Sequence, residues 1–366
     1  MNTLLTTPEI CEVTSAVHYR PAISIIIPFE PKTISRYELE HSLKIITHRV
    51  QQELRNNYPD EIYLAVIQKL NALVKTLDYN SHKKSVAIYV SPVFQKVLYL
   101  DIAVEEKVII DESFEIRDLV YSKKQLHKYL VLLLSSNESK MYIGNADSFV
   151  KIASNIPVSL YSSDWDAAEK TGNFSSPSAF REIEMEKFLH YNDNELENIL
   201  NAYNLPLFVL GTKRVLGHFN SITKHKAAVA EYIYGNYEET TLPDLRNILL
   251  PYINKWKKAQ QAIIINKLEE AAGNKRLAVG MKDVWREAMD RKGRLLVVEK
   301  DFMYAAEHGA SEEVIYKAEE PYNKFSYIKD AVDDVMEKVL SNGGDVEFVD
   351  KDVLKNYQHI ALIQYY

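Results

Sequence analysis

The sequence predicts a mixed α/β and α+β protein of three domains, the last of which is an α/β/α sandwich. Two observations support this prediction. Short, continuously apolar runs, typical of buried strands, alternate with longer segments whose apolar residues recur at helical spacing. Near the end of the sequence, helices and strands are separated by glycine, at Gly273, Gly293 and Gly343–Gly344. This alternation is typical of a sheet covered by helices on both faces.

Length and composition indicate an ordinary globular protein. The 366 residues suit two or three domains, and 46% of them are hydrophobic. A formal net charge of -7 argues against a protein that coats nucleic acid along its whole surface, but it permits local basic patches. Cys11 is the single cysteine, so no internal disulfide or cysteine-rich zinc site is expected. No secretory signal or membrane-spanning run is recognised, and a cytoplasmic protein that does not bind membranes is predicted.

The N-terminal domain is predicted to cover residues 1–126 and to be α+β. A helix pair is expected to pack on a sheet. The predicted helices are 35–57 and 60–78, and the predicted strands are 24–29, 85–90 and 97–100.

The middle domain is predicted to cover residues 127–256. Its expected elements are a hairpin of strands 129–134 and 140–144, a helix over 178–203 and a buried strand over 206–211. A further helix begins near Leu242, with Pro251 predicted to kink or interrupt it. Residues 159–180 lack periodicity and form a predicted long functional loop, which contains Tyr161, Trp165 and Phe174.

The C-terminal domain is predicted to cover residues 257–366. A helix ends at Gly273, and a second one carries Val284 and Ala288. A third helix has its apolar stripe between Ala331 and Leu340. The expected strands are 277–280, 295–298, 346–349 and 360–363.

Motifs of common enzymes are absent from the sequence. It contains no phosphate-binding loop, no dinucleotide-binding glycine pattern, no zinc-protease motif and no serine-hydrolase elbow. The segment 211–213 has the wrong spacing for a phosphate loop and is predicted to be a turn. The histidines do not lie at metal-ligand spacing. The sequence therefore predicts no catalytic residue, no metal and no cofactor, and a protein that is not an enzyme.

Basic residues are concentrated in two segments. Residues 213–226 contain no acid, and residues 255–300 hold twelve Lys or Arg and six acids, whereas 301–366 hold six Lys and fourteen acids. Local lysine and arginine groups can contact RNA phosphates despite a negative net charge. The alternative is that these charges simply cover helix surfaces. The predicted RNA-binding residues are Lys213, Arg214, Lys224, Lys226, Lys275, Arg276, Arg291, Lys292 and Arg294.

A tyrosine cluster accompanies the first basic segment. Tyr232, Tyr234 and Tyr237 surround Gly235–Asn236. Exposed aromatic rings beside basic residues can stack on unpaired bases. Packing against a core or domain interface is the favoured interpretation.

The order of motifs resembles the archaeo-eukaryotic class I release factors and their rescue relative Pelota, in particular the bacterial branch of that superfamily. In the C-terminal domain the resemblance lies in Gly280, Val284, Ala288 and Gly293 before the apolar run 295–298. The later Gly343–Gly344 and the closing strand 360–363 also fit. The opening hairpin, helix and glycine-ended strand of the middle domain are similar in outline. The resemblance implies the predicted sandwich fold and a ribosome-associated translation factor.

Two family motifs are missing. The chain has neither the Gly-Gly-Gln of peptide-releasing members nor the Asn-Ile-Lys-Ser of codon-reading members, and Gly343–Gly344 is followed by Asp345 in a different domain. The resemblance therefore implies a Pelota-like factor that occupies the ribosomal A site in rescue or hibernation without hydrolysis. It also implies rRNA and a translational GTPase as partners.

Two other functions remain open. The first is a hydrolase or nuclease acting on RNA, with Asp164, Asp166 and Glu169 of the long loop as candidate Mg²⁺ ligands. The second is a scaffold that uses the same domains for protein contacts.

Overall fold

A computed structural model describes most of the chain. The chain divides into two compact units. The described residues are 8–14, 16, 21–31, 34–81, 83–124, 128–136, 138–145, 149–152, 177–319 and 327–366. One unit combines Met1–Lys124 with Gln261–Tyr366, and the other is Gln125–Gln260. Among the described helices, none is long and apolar enough to cross a membrane.

The N-terminal part of the first unit is an antiparallel sheet with helices. Its sheet has the order β3-β2-β1-β4. Ser35 starts the second helix by a capping box, in which its hydroxyl accepts the Glu38 N–H and the Glu38 carboxylate accepts the Ser35 N–H. The elements are α1 (Pro8–Thr14), β1 (Ala22–Pro28), α2 (Arg36–Asn57), α3 (Asp60–Lys75), β2 (Ser85–Val90), β3 (Gln95–Leu100), β4 (Lys107–Asp111) and α4 (Arg117–Lys123).

Strand β1 is apolar except for Ser24, because both of its faces are covered. Ile23, Ile25 and Ile27 pack with the buried side chains of α2 and α3. Ala22 and Ile26, on the opposite face, pack in a cluster that includes α4 and the C-terminal part of the chain. Side chains alternate between the faces of a strand, so a continuous apolar run indicates burial on both.

The second unit is a three-layered α/β structure. Its sheet has the order β7-β6-β5-β8-β9, in which β5 and β6 form the predicted hairpin and β5, β8 and β9 are parallel. Leu130 and Leu132 pack against the helices on one face, and Val131 and Leu133 pack against the helix on the other. The elements are β5 (Tyr129–Leu134), β6 (Ser139–Gly144), β7 (Phe149–Lys151), α5 (Pro177–Tyr203), β8 (Leu207–Gly211), α6 (Lys213–Ile222), β9 (Val229–Tyr234) and α7 (Leu242–Gly273).

Helix α7 differs from its prediction at the proline. The helix continues through Pro251, so the predicted interruption does not occur. Leu249 and Ile253, two residues before and after the proline, are both buried in the core of the second unit. Tertiary packing of this apolar face holds the helix despite the missing backbone N–H of the proline.

The C-terminal part of the first unit is the predicted α/β/α sandwich. Its sheet has the order β10-β16-β11-β15, with β16 antiparallel to both neighbours and β11 parallel to β15. Two helices pack on one face, and the end of α7 packs on the other. The elements are β10 (Leu277–Val279), α8 (Met281–Met289), β11 (Gly293–Glu299), β12 (Ala306–His308), β13 (Ile315–Lys317), β14 (Tyr327–Ile328), α9 (Ala331–Ser341), β15 (Asp345–Val349) and β16 (Ile360–Gln364).

Several details depart from the sequence predictions. The strand predicted over 277–280 ends at Val279, because Gly280, with φ +76°, is the N-cap residue that precedes α8. Strands β4, β7 and β9 and the small sheet β13-β12-β14 were not predicted. The last four residues of the predicted loop 159–180 belong to α5.

Candidate nucleic-acid interface

The first predicted basic segment lies at the two ends of α6. Thr212 caps this helix by accepting the Val215 N–H, and Lys213 and Arg214 follow with exposed side chains. Lys224 and Lys226 are exposed just beyond the helix end. A ten-residue helix is about 15 Å long. The structure therefore places the four cations as two pairs, one at each end of α6.

Arg214 forms an ion pair with an acidic side chain. Its Nη2 lies 3.4 Å from Glu182 Oε1, and both side chains are at least half exposed. His218 also lies 3.7 Å from Glu182 and 3.8 Å from Glu186. Such exposed ion pairs are weak. A phosphate could therefore displace Glu182 from Arg214.

The second pair sits on a turn that is anchored by a buried carboxylate. Asp193 of α5 accepts hydrogen bonds from the Thr223 hydroxyl and, at 3.2 Å, from the Lys224 N–H. The His225 Nε2 lies 3.2 Å from the Asp193 carbonyl oxygen. Asp193 is 2% exposed, whereas Lys224 and Lys226 face solvent. The backbone of the turn is therefore fixed while its two ammonium groups remain accessible.

The five predicted basic residues of the C-terminal part lie at one edge of its sheet. Strands β10 and β11 begin there and β16 ends there, because Leu277 pairs with Ile363 and Gly293 with Gln364. We call this surface the basic edge, defined by Lys275, Arg276, Arg291, Lys292 and Arg294. Backbone bonds tie it together, since the Gln364 N–H donates to the Arg276 carbonyl at 2.9 Å and the Tyr365 N–H to the Lys292 carbonyl at 3.0 Å.

Part of the charge of the basic edge has a structural role. Lys292 Nζ lies 2.9 Å from both Glu287 and Asp290, and these hydrogen bonds raise the pKa of Lys292 well above its usual value. The same contact with Lys292 lowers the pKa of Glu287. The basic edge also follows the C-terminal ends of α7 and α8, where cations stabilise the helix dipole. Lys275 and Arg291 are the members with exposed side chains.

Two exposed tyrosines at the basic edge were missed by sequence reasoning. Tyr365 and Tyr366 are 41% and 77% exposed, and the Tyr365 hydroxyl donates to the Gly343 carbonyl at 3.1 Å. Two adjacent tyrosines directly after a buried strand were the available signal. Their proximity to Arg276 and Lys292 depends on strand register, which the sequence alone does not show.

Most of the tyrosine cluster in the second unit packs against its cores. Tyr232 and Tyr237 contact the two cores of the second unit. The Tyr237 hydroxyl donates to the Tyr234 carbonyl at 3.1 Å. Tyr234 itself is 56% exposed.

The predicted functional loop is outside the described residues, apart from its last four residues in α5. Tyr161, Trp165 and Phe174 and the candidate acids Asp164, Asp166 and Glu169 all fall in this part, so their roles stay predictions. Within the described residues, no group of three or more His, Cys, Asp or Glu side chains is arranged to hold a metal ion.

A family model matches the middle of the chain. Residues 128–292, a little under half of the chain, match the family model described as bacterial archaeo-eukaryotic release factor family 3. Over this segment the chain is similar to the bacterial members of the archaeo-eukaryotic release factors, which agrees with the predicted family. No match was found among curated proteins.

Solved structures of low sequence identity are also similar. The archaeal translation termination factor aRF1 is 13% identical, with 94% of this chain and 92% of that chain covered and a TM-score of 0.26. Ribosome-bound archaeal Pelota, described together with ABCE1, is 12% identical over 77% and 78%, with a TM-score of 0.45. S. cerevisiae Dom34, described as a translation termination-like factor that interacts with Hbs1, is 12% identical over 79% and 81%, with a TM-score of 0.40.

Proposed function

We propose that this protein is a ribosome-associated translation factor that acts in ribosome rescue or hibernation by occupying the A site. The observation that carries the proposal is the family match over residues 128–292. The chain contains no Gly-Gly-Gln, so the proposed factor does not hydrolyse peptidyl-tRNA. Its proposed place of action is the cytoplasm, with rRNA and a translational GTPase as partners.

In the second unit, the proposed rRNA contact is the pair Lys224 and Lys226, with Lys213 as a further contact. These side chains are exposed, and the turn that carries the pair is fixed by buried Asp193. A prearranged backbone lowers the ordering cost when the ammonium groups meet phosphates. Arg214 and Lys292 are weaker candidates, because each already contacts carboxylates.

Binding to purified ribosomes with a vacant or a tRNA-filled A site tests this proposal. The full chain is expected to bind vacant 70S ribosomes and to be displaced by A-site tRNA. It is also expected to release no peptide from programmed ribosomes above the uncatalysed rate. Equal binding to both ribosome states would contradict A-site occupancy.

Other outcomes of the same experiment would support the alternative functions. Peptide release or Mg²⁺-dependent RNA cleavage by the purified protein would show that it is an enzyme. If cleavage occurred, joint substitution of Asp164, Asp166 and Glu169 would test whether the loop supplies the chemistry. Complexes with proteins but never with ribosomes would instead indicate a scaffold.

A further inference from the structure

The two parts of the first unit meet at a buried cluster of charged groups. The Arg117 guanidinium, at the start of α4, donates to the Asp330 carboxylate and to the Phe302 carbonyl. Asp333, in the first turn of α9, accepts the Ile116 N–H at 3.0 Å and the Arg117 N–H at 2.8 Å. Arg117, Asp330 and Asp333 are each at most 5% exposed. These bonds join residues 185 to 217 positions apart, so they hold the N-terminal part to the C-terminal part.

Carboxyl groups outnumber cations in this cluster. Glu115 and Asp334 complete a set of four carboxyls with Asp330 and Asp333, whereas Arg117 is the guanidinium among them. The neighbouring charged groups are the Lys107–Asp118 pair at 2.7 Å on β4 and α4, Asp111 at the end of β4, and Glu337 on α9. Ser113 and the buried Tyr89 contribute hydroxyls, which donate to Asp334 Oδ1 and to the Glu115 carbonyl.

Glu115 is incompletely hydrogen-bonded, as is Arg117, whose buried Nε has no partner among the described residues. The Glu115 side chain is 4% exposed, and among the described residues its Oε1 has no hydrogen-bond partner. Its backbone is held on both sides, because its N–H donates to Ser24 Oγ at 2.9 Å and its carbonyl accepts from Tyr89. An ionised carboxylate in this position would be costly, and protonation is the common way to remove that cost.

Burial favours the protonated forms throughout the cluster. Burial, with the nearby Asp330 charge, raises the pKa of Glu115 to about 7. Burial likewise raises the pKa of Asp334 to about 7 and that of Asp333 well above its usual value. Asp334 keeps some solvent contact by surface area, so the larger effect is expected from Glu115.

We propose that this carboxyl cluster is a proton-dependent clasp between the N-terminal part of the chain and α9. A proton on the cluster lets the four carboxyls remain buried against Arg117. Loss of that proton adds a negative charge. Among the described residues the other cation acting on Glu115 is Lys107, which is already paired with Asp118, so the contact between the two parts weakens. The proposal is independent of ribosome binding.

The direction of the pH dependence follows from proton linkage. Glu115 has a higher pKa in the folded protein than its ordinary value of 4.5. The stability that its proton contributes is therefore complete below about pH 4.5 and is lost as the pH rises through about 7. Between these values the folding constant falls by up to about tenfold per pH unit for this group.

Unfolding of the full chain by urea at pH 5 to 8 tests the clasp. The wild-type protein is expected to lose stability across this range, and Glu115→Gln, which cannot titrate, is expected to remove up to about tenfold per pH unit of that loss. Glu53→Gln, an exposed substitution on α2, is the matched control and should keep the wild-type slope. Identical slopes in wild type and Glu115→Gln would overturn the proposal.

Hydrogen exchange of the wild-type protein gives a second test that needs no variant. The amides of Ile116 and Arg117 donate to Asp333 and therefore report opening of the clasp. After correction for the intrinsic exchange rate, their protection should fall between pH 5 and 7 by more than that of Leu132 in the second unit. Equal pH dependence at the three amides would overturn the proposal even if Glu115→Gln failed to fold.

Discussion

At the scale of single residues, Asp193 connects the core of the second unit with the turn that carries Lys224 and Lys226. Its carboxylate is buried, and it is held by the Thr223 hydroxyl and the Lys224 N–H. Such a buried, hydrogen-bonded carboxylate fixes the backbone of the turn. The side chains of Lys224 and Lys226 on the same turn remain exposed to solvent. The proposed phosphate contact thus depends on a residue that touches no phosphate.

Asp193→Ala is expected to destabilise the second unit by about 1–3 kcal/mol, because the Thr223 hydroxyl and the Lys224 N–H lose their acceptor. Urea unfolding measures this change. Glu197→Ala on the exposed face of the same helix is the control and should change stability little. Equal effects of the two substitutions would show that the Asp193 contacts do not hold the turn.

Two glycines are expected to respond oppositely to alanine. A Cβ on Gly344 would lie 2.5 Å from the Gly293 carbonyl oxygen and 2.7 Å from Val339 Cγ1, so Gly344→Ala should destabilise the C-terminal sandwich. A Cβ on Gly217, within α6, would meet no atom within 4 Å. Gly217→Ala should therefore stabilise α6 by roughly 0.5–1 kcal/mol. Thermal unfolding of both variants checks the pair, and a neutral Gly344→Ala would contradict the close approach of the two glycine segments.

At the scale of elements, continuous apolar runs predicted the central strands well. Strands β1, β2, β5, β8, β11 and β16 lie where such runs occur, since burial on both faces removes polar residues from the pattern. Strand β9 was missed because its sequence VAEYIY mixes polar and aromatic residues along a half-buried edge strand. The strands of the small sheet β13-β12-β14 are two or three residues long, which is too short for a period to appear.

The candidate site was only partly predictable for a related reason. The local excess of basic residues in the sequence indicated Lys275, Arg276 and Arg291. Their proximity at the basic edge depends on the register of β10, β16 and β11, which the sequence does not show. The buried ion pair of Arg117 and Asp330 was not predicted. The two residues are 213 positions apart, and neither lies in a motif.

The turn after α6 carries a prediction about RNA binding. Reversing both charges by Lys224→Glu and Lys226→Glu should weaken binding to 70S ribosomes and lower the slope of log affinity against log salt by about 1 or more for each lost phosphate contact. Lys151→Glu with Lys258→Glu is the matched control in the same unit, because it changes the net charge equally at two other exposed lysines. If both double variants lost the same affinity, net charge rather than the turn would determine binding.

At the scale of the whole molecule, the chain combines its two ends in one compact unit. The N-terminal and C-terminal parts share a hydrophobic cluster in addition to their buried charges, as shown by the edge-to-face contact of Tyr121 with Phe348 at 5.1 Å. The second unit has its own two cores. The three-domain division with boundaries after 126 and 256 stays a prediction about independent folding.

Expression of fragments tests how these parts depend on each other. Residues 125–260 are expected to unfold cooperatively on their own, because their cores are internal. Residues 261–366 alone would expose the apolar side chains that α1, α4 and β1 cover. They are expected to be less stable than the same residues in the full chain, as measured by urea unfolding. Equal stability of this fragment in isolation would favour three independent domains.

Sedimentation measures the proposed association with ribosomes in cells directly. Lysates from growing, starved and chilled cells would be separated on sucrose gradients, and the protein would be located by immunoblotting. We expect co-sedimentation with 70S ribosomes in at least one state, and its loss in the Lys224→Glu/Lys226→Glu variant but not in the Lys151→Glu/Lys258→Glu control. Protein that remains at the top of the gradient in all three states would contradict the proposed ribosome association.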